Sequence, residues 1–141
     1  MVGGEDPEQR APMRWDLVTD DNPELKWTRR LLDLRGRSRA LKIGDFRLLD
    51  SEKLLAFMRR TERAAETTVI VVNSTSKAIT EVVPLRESKF MMGTKLRDQL
   101  GKAEVEVESG TLLVTIPAHT VWVLQPVIED TLEYTPYKRV Q

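Results

Sequence analysis

Few side chains in this sequence have the type and spacing for chemistry. His119 is the single histidine and sits in a Pro-Ala-His-Thr stretch with no acid or second ligand beside it, so a turn residue is the plainer reading than a metal ligand or general base. Ser74, Thr75 and Ser76 have hydroxyls but no base placed near them by spacing. Gly3 and Gly4 lack the rest of any phosphate-cradling loop. Glu104, Glu106 and Glu108 recur at period two, which puts three carboxylates on one strand face. Such a row could take calcium, but a solubilising or edge-protecting face is the simpler account. The remaining chemistry is stacking. A pyranose presents a CH face to an aromatic ring, and the candidates are Trp15, Trp27, Trp122, Tyr134 and Tyr137. Trp122 lies between Val121 and Val123 on a strand-like run. If those valines face a core, the Trp122 ring is outside, which makes it the candidate carbohydrate-binding residue. No metal or cofactor site is predicted.

These residues need a scaffold, and composition allows one. The chain has 141 residues, 40% hydrophobic and 31% charged, enough for one domain with a core. Formal net charge is zero, which argues against a nucleic-acid partner. There is no cysteine, hence no disulfide or thiolate metal site. No apolar run reaches the ~20 residues of a membrane span, so no membrane partner is expected. The start shows no signal-peptide pattern, which makes cytoplasm the default location.

Residues 1–22 read as loop, rich in Gly, Pro and Asp. Asn22-Pro23-Glu24 is a helix start: a capping side chain, a first-turn proline and an acid at the positive end of the dipole. Trp27, Leu31 and Leu34 then follow helical spacing, and the helix ends near Gly36 to Arg39. Residues 26–42 carry seven bases against Asp33 alone, read as a solvated helix face rather than a polyanion site. From Ile43 the period becomes two. Short apolar runs recur at 46–48, 55–59, 67–73, 78–84, 94–100, 105–107, 111–116 and 120–124, with turn residues between them. The run 67–73 is continuous and β-branched, as a central strand buried on both faces would be. The expected fold is mainly β: an antiparallel Greek-key β-sandwich of seven or eight strands, preceded by a loop and one α-helix.

Two ordered stretches carry a resemblance. Arg10, Pro12, Met13, Trp15 and Asp16 match, in order, a segment after the last barrel strand in the α-amylase family of glycoside hydrolases. The run from Leu31 to Phe46, with a Leu-x-x-Leu-Arg core followed by Ala-Leu-x-x-Gly-Asp-Phe, is similar to the last barrel helix of that family and its passage into a C-terminal β-sandwich. The closing run Gly110 to Leu124 resembles the final strands of that sandwich. The chain departs from the family at Arg37-Ser38-Arg39, where glutamate-histidine-proline is usual. Subfamily therefore stays open, with neopullulanase and α-glucosidase relatives in view, and so does the substrate among starch, cyclodextrin, pullulan, sucrose and trehalose relatives.

The resemblance implies three regions: residues 1–42 as the end of a (β/α)8 barrel, 43–126 as the sandwich and 127–141 as a tail. Retaining hydrolysis in the family needs two carboxyl groups about 5 Å apart, carried on barrel strands within Arg-x-Asp and Asn-His-Asp motifs. Neither motif occurs here, so the catalytic positions are expected N-terminal to Met1 and the chain itself is expected to be non-catalytic. The implied role is structural, stabilising the catalytic barrel, which is then its partner. The alternative is a weak α-glucan-binding module working through Trp122. A third expected partner is a second copy, pairing through the helix 23–38.

Overall fold

The computed structural model describes residues 5–6, 10 and 12–128. Tyr134, Tyr137, the Gly3-Gly4 pair and nearly all of the 127–141 tail lie outside the described residues. The chain divides into two compact units, Met1–Arg35 and Gly36–Gln141.

In the first unit a single-turn 3-10 helix at Trp15–Leu17 precedes the main helix. Helix α1 spans Pro23–Arg37. Its start is built as the residues dictate: the Asn22 side-chain oxygen accepts the Leu25 amide at 3.1 Å, and the Asn22 carbonyl accepts the Lys26 amide at 3.0 Å. Leu34 is buried, whereas Trp27, Leu31 and Leu32 are exposed.

The expected single helix is followed by a second. Ser38 adopts an extended backbone and its hydroxyl accepts the Leu41 amide at 3.3 Å, which caps α2, Arg39–Ile43. Five residues are too short for a periodic signal, and the N-cap serine was the available cue. The expected boundary at 42/43 groups α2 with the chain before it, while compactness groups α2 with the sheet.

Eight strands follow: β1 Asp45–Leu48, β2 Leu55–Arg60, β3 Thr68–Asn73, β4 Ile79–Pro84, β5 Lys95–Asp98, β6 Glu104–Glu106, β7 Thr111–Ile116 and β8 Thr120–Pro126. Six form one sheet in the order β1-β2-β3-β8-β5-β6, and β4 pairs with β7 in a second. Every pairing is antiparallel. As its β-branched run predicts, β3 is internal, flanked by β2 and β8. Between the sheets lies one core. The large sheet contributes Ala56, Met58, Val69, Val71, Leu96 and Leu124, and the small sheet Val83, Leu112, Val114 and Ile116. Each of the larger of these side chains, from valine up, contributes about 1.5–3 kcal/mol when fully buried. No helix among the described residues is long and apolar enough to cross a membrane.

Candidate functional site

The residues singled out from the sequence do not converge. Arg14 and Asp16 form a bidentate pair, with bonds of 2.8 and 2.6 Å. That hydrogen bond holds the Asp16 carboxyl below the usual carboxylate range. Met13 and Trp15 beside it are exposed, and Arg10 pairs with Asp6 at 2.8 Å. His119 is a turn residue between β7 and β8, in the left-handed region at φ 50°, donating its amide to the Thr75 carbonyl. Glu104 and Glu106 lie exposed on the end strand β6, and Glu104 pairs with Arg97 at 3.1 Å.

Trp122 faces the other way from the expectation. The expectation required Val121 and Val123 to face the core. In the observed register Trp122 stands opposite Val71, and the ring packs, half-buried, against the cluster that holds Val71 and Leu124. Val121 and Val123 therefore point to the outer face of the large sheet.

What sequence reading missed is that outer face. Register aligns Phe46 with Arg59, Leu48 with Phe57, Leu55 with Val72, Phe57 with Ile70, Ile70 with Val123 and Val72 with Val121. All these side chains share one side of the sheet. Phe46 and Phe57 stack with ring centroids 5.2 Å apart. Yet Phe46 is 55% exposed, Leu48 68% and Leu55 53%. Across β5 and β6 the same face turns polar, with Lys95 opposite Glu106 and Arg97 opposite Glu104. The apolar part is thus confined to β1, β2, β3 and β8.

Segment 38–44 lies on this outer face and is fastened to it. Gln125 donates its side-chain amide to the hydroxyls of Ser38 and Thr68, at 3.2 and 3.0 Å. Arg59 Nε donates to the Ala40 carbonyl, and Arg39 reaches Glu62 and Glu66 at 2.9 and 3.2 Å. Ala40 is fully buried. Gly44 has an ordinary φ of −66°, but a Cβ there would lie 2.6 Å from the Ala40 carbonyl oxygen and 2.7 Å from that of Arg60. The glycine is required by close backbone approach.

Two polar knots close the sandwich. Asn73, buried, donates to the carbonyls of Lys77, Ile116 and Pro117 and accepts from the amide and hydroxyl of Thr75. Glu81 on β4 accepts three successive amides, those of Glu52, Lys53 and Leu54, and so holds the β1–β2 loop.

Comparison with known proteins gives the following. The family model described as "Maltogenic Amylase, C-terminal domain" matches residues 46–122. A cyclomaltodextrinase from Geobacillus thermopakistaniensis (strain MAS1) is 30% identical over 121 residues, 84% of this chain and 20% of that protein. Among solved structures, an Anoxybacillus α-amylase matches with TM-score 0.72 and 30% identity, covering 92% of this chain and 27% of its own. The α-amylase of Geobacillus thermoleovorans, solved with acarbose, matches with TM-score 0.74 and 25% identity over 93% of this chain and 28% of its own. The chain thus spans one fifth of the curated relative and just over a quarter of each solved chain.

Proposed function

From the premise that the chain belongs to the maltogenic amylase C-terminal domain family, a C-terminal domain of amylase-family glycoside hydrolases, we propose that it is a non-catalytic, stabilising part of an enzyme acting on α-glucosidic bonds. The observation that carries this reading is the fastening of segment 38–44 to the sheet. A sugar-binding module that works by tethering needs a compliant link, commonly rich in Gly, Ser or Pro. The link into this sandwich has the opposite character. Ser38 and Ala40 are bonded to the sheet, Arg39 is paired with Glu62 and Glu66 in the connection between β2 and β3, and Gly44 fits where no larger residue fits. Segment 38–44 is thus built into the sandwich and is not a compliant tether.

An α-glucan-binding role through Trp122 has less support, because a ring packed on the core offers little free face to a pyranose. Incubating the chain with maltotriose and p-nitrophenyl maltoside tests the non-catalytic reading, and turnover that persists through purification overturns it. A maltoheptaose titration followed by tryptophan fluorescence tests the rest. The expected result is no saturation in the millimolar range, and tight binding abolished by Trp122→Ala would favour the binding module instead.

A further inference from the structure

Edge strand β1 leaves main-chain groups unused. In its ladder with β2, Leu49 donates its amide to the Ala56 carbonyl at 2.9 Å. Bonded and non-bonded pairs alternate in an antiparallel ladder, so the other bonded pairs are Arg47 with Met58 and Asp45 with Arg60. Phe46 and Leu48 therefore turn their N–H and C=O away from β2, toward the edge at which the large sheet ends. All four β1 residues are exposed. Arg47 shares the inward side of the strand with Met58, and so does Asp45, two residues earlier. Neither has a charge partner among the described residues. The charges around them are paired: Arg60 with Glu87 at 3.1 Å, Arg86 with Asp50 at 3.7 Å and Arg39 with Glu62 at 2.9 Å. Open clefts of about 270 and 360 Å³ adjoin the strand, the first lined by Arg47 and the second by Asp45. The other end of the sheet, β6, offers a contrast. Its Glu104 and Glu106 share one side, so pairing with its own copy would set acid against acid, a common protection of an edge.

We propose that β1 is a self-pairing edge, at which two copies of this chain join antiparallel about Phe46 to form one continuous sheet. The occupant follows from charge. A two-fold axis beside Phe46 sets it opposite Phe46 of the second copy, and the two exchange N–H···O=C bonds through the groups that β2 leaves free. The same register sets Asp45 opposite Arg47 of the second copy, and Arg47 opposite Asp45 of the second copy. Two ion pairs thus form from four charges that are unpaired in the single chains. A shift of two residues either way keeps the main-chain bonding but sets Arg47 against Arg47 or Asp45 against Asp45. A foreign strand would have to bring the same acid–x–base order, whereas this strand matches itself. On the outer side each Phe46 already stacks on Phe57 at 5.2 Å, and the join brings the two stacked pairs into one row. Leu48 falls opposite Gly44, which has no side chain to obstruct it. One four-residue strand per copy is small beside the roughly 20–30 residues a side of a standard interface, so the dimer is expected to be weak and reversible. This pairing is independent of the role proposed above and of the helix 23–38, and each can fail separately.

The test uses the full 141-residue chain in analytical ultracentrifugation from micromolar to millimolar concentration, with amide hydrogen exchange as a second readout. Wild type is expected to dimerise reversibly. Its Phe46 amide is expected to exchange at least tenfold more slowly in the dimer than at dilution, while the Arg47 amide, bonded to β2 in either state, changes little. Asp45→Arg and Arg47→Asp each set like charges opposite one another and are expected to weaken the dimer at least tenfold. Mixed in equal amounts, the two variants present complementary charges to each other, so a heterodimer as strong as the wild-type dimer is expected. Leu31→Asp, on the helix, is expected to leave the association unchanged. Both edge positions are exposed, so each variant should keep the wild-type β spectrum. If either misfolds, Phe46 exchange in the wild type decides alone. A wild-type chain that stays monomeric at millimolar concentration overturns the proposal, as does a dimer in which the Phe46 amide is no slower. Variants that associate no better mixed than apart also overturn it. A dimer dissolved by Leu31→Asp and indifferent to both charge variants assigns the contact to the helix and overturns the pairing through β1.

Discussion

Asn73, on β3 of the large sheet, donates its side-chain amide to the carbonyl of Ile116 on β7 of the small sheet, at 3.0 Å. That bond crosses from one sheet to the other at the end where β3 leaves for β4 and β7 turns into β8. The same amide also satisfies Lys77 and Pro117, and the side-chain oxygen orders Thr75. One buried side chain therefore fixes two turns at once, one of them bearing His119.

Replacing Asn73 should be among the most damaging single changes in the sandwich. Asn73→Ala orphans buried carbonyls and leaves a cavity, for an expected loss of about 2–4 kcal/mol. Asn73→Asp should be worse at neutral pH, because a carboxylate would face the carbonyls of Ile116 and Pro117. Lowering the pH protonates it and restores one donor, so the Asp variant should gain stability in acid relative to wild type. Urea denaturation at pH 7 and pH 4 measures both effects. An Ala variant as stable as wild type would show that the knot is dispensable.

Gly44→Ala should destabilise through overlap alone. The added methyl meets two backbone carbonyl oxygens, those of Ala40 and Arg60, and neither is a flexible side-chain end. Overpacking of this sort costs about 1–3 kcal/mol. Gly36→Ala is the matched control, since a Cβ there meets nothing within 4 Å and the position is helical. Thermal melts should therefore fall for Gly44→Ala and hold or rise for Gly36→Ala. Equal melts would mean that segment 38–44 can shift away from β2.

How legible this was follows from the periods. Strands such as β7, where Leu112, Val114 and Ile116 alternate with exposed neighbours, announce both their existence and their facing. In β8 the run Val121-Trp122-Val123-Leu124 is apolar on both sides, so alternation has no phase, and only the pairing with β3 and β5 decides which residues turn inward. Hence the sequence alone favours an outward Trp122, whereas the ring packs on the core. The apolar outer face was hidden for the same reason. Phe46, Leu48 and Leu55 have the pattern of core residues, and sequence cannot separate burial within a domain from burial against another. The Asn73 and Glu81 knots join residues tens of positions apart, and no local signal marks them. The resemblance did mark Gly44, and the close approach of Ala40 and Arg60 now gives its physical reason.

Trp122 then becomes a stability residue. Trp122→Ala removes a half-buried ring from the edge of the core, where truncation should cost about 1–3 kcal/mol, below the usual loss for a fully buried aromatic. Chemical denaturation checks this against Trp15→Ala, whose ring is exposed and whose loss should be near neutral. If Trp122→Ala is neutral as well, the ring is not serving the core.

Acid should weaken the sandwich through Glu81. Burial raises the pKa of this carboxyl. The amides of Glu52, Lys53 and Leu54 and the Ser51 hydroxyl pull it down by more, so it lies below its ordinary value of 4.5. A carboxylate held lower in the folded chain than in the unfolded one stabilises the fold above the unfolded pKa, and that contribution fades as pH falls through the folded value. Glu81→Gln keeps the shape but loses the charge and one acceptor oxygen. At pH 7 it should cost about 1.5–3 kcal/mol, the range for hydrogen bonds to a charged group. The gap between wild type and Glu81→Gln should then narrow as the pH falls from the ordinary glutamate value, about 4.5, which the unfolded chain keeps, through the lower folded one. The nearby Asp50–Arg86 pair is exposed, at 3.7 Å, so Asp50→Asn should leave this pH dependence almost unchanged. Urea unfolding of the three proteins from pH 7 to pH 3 measures it. A gap constant across that range would mean that the charge on Glu81 contributes nothing and that the β1–β2 loop is held by shape alone.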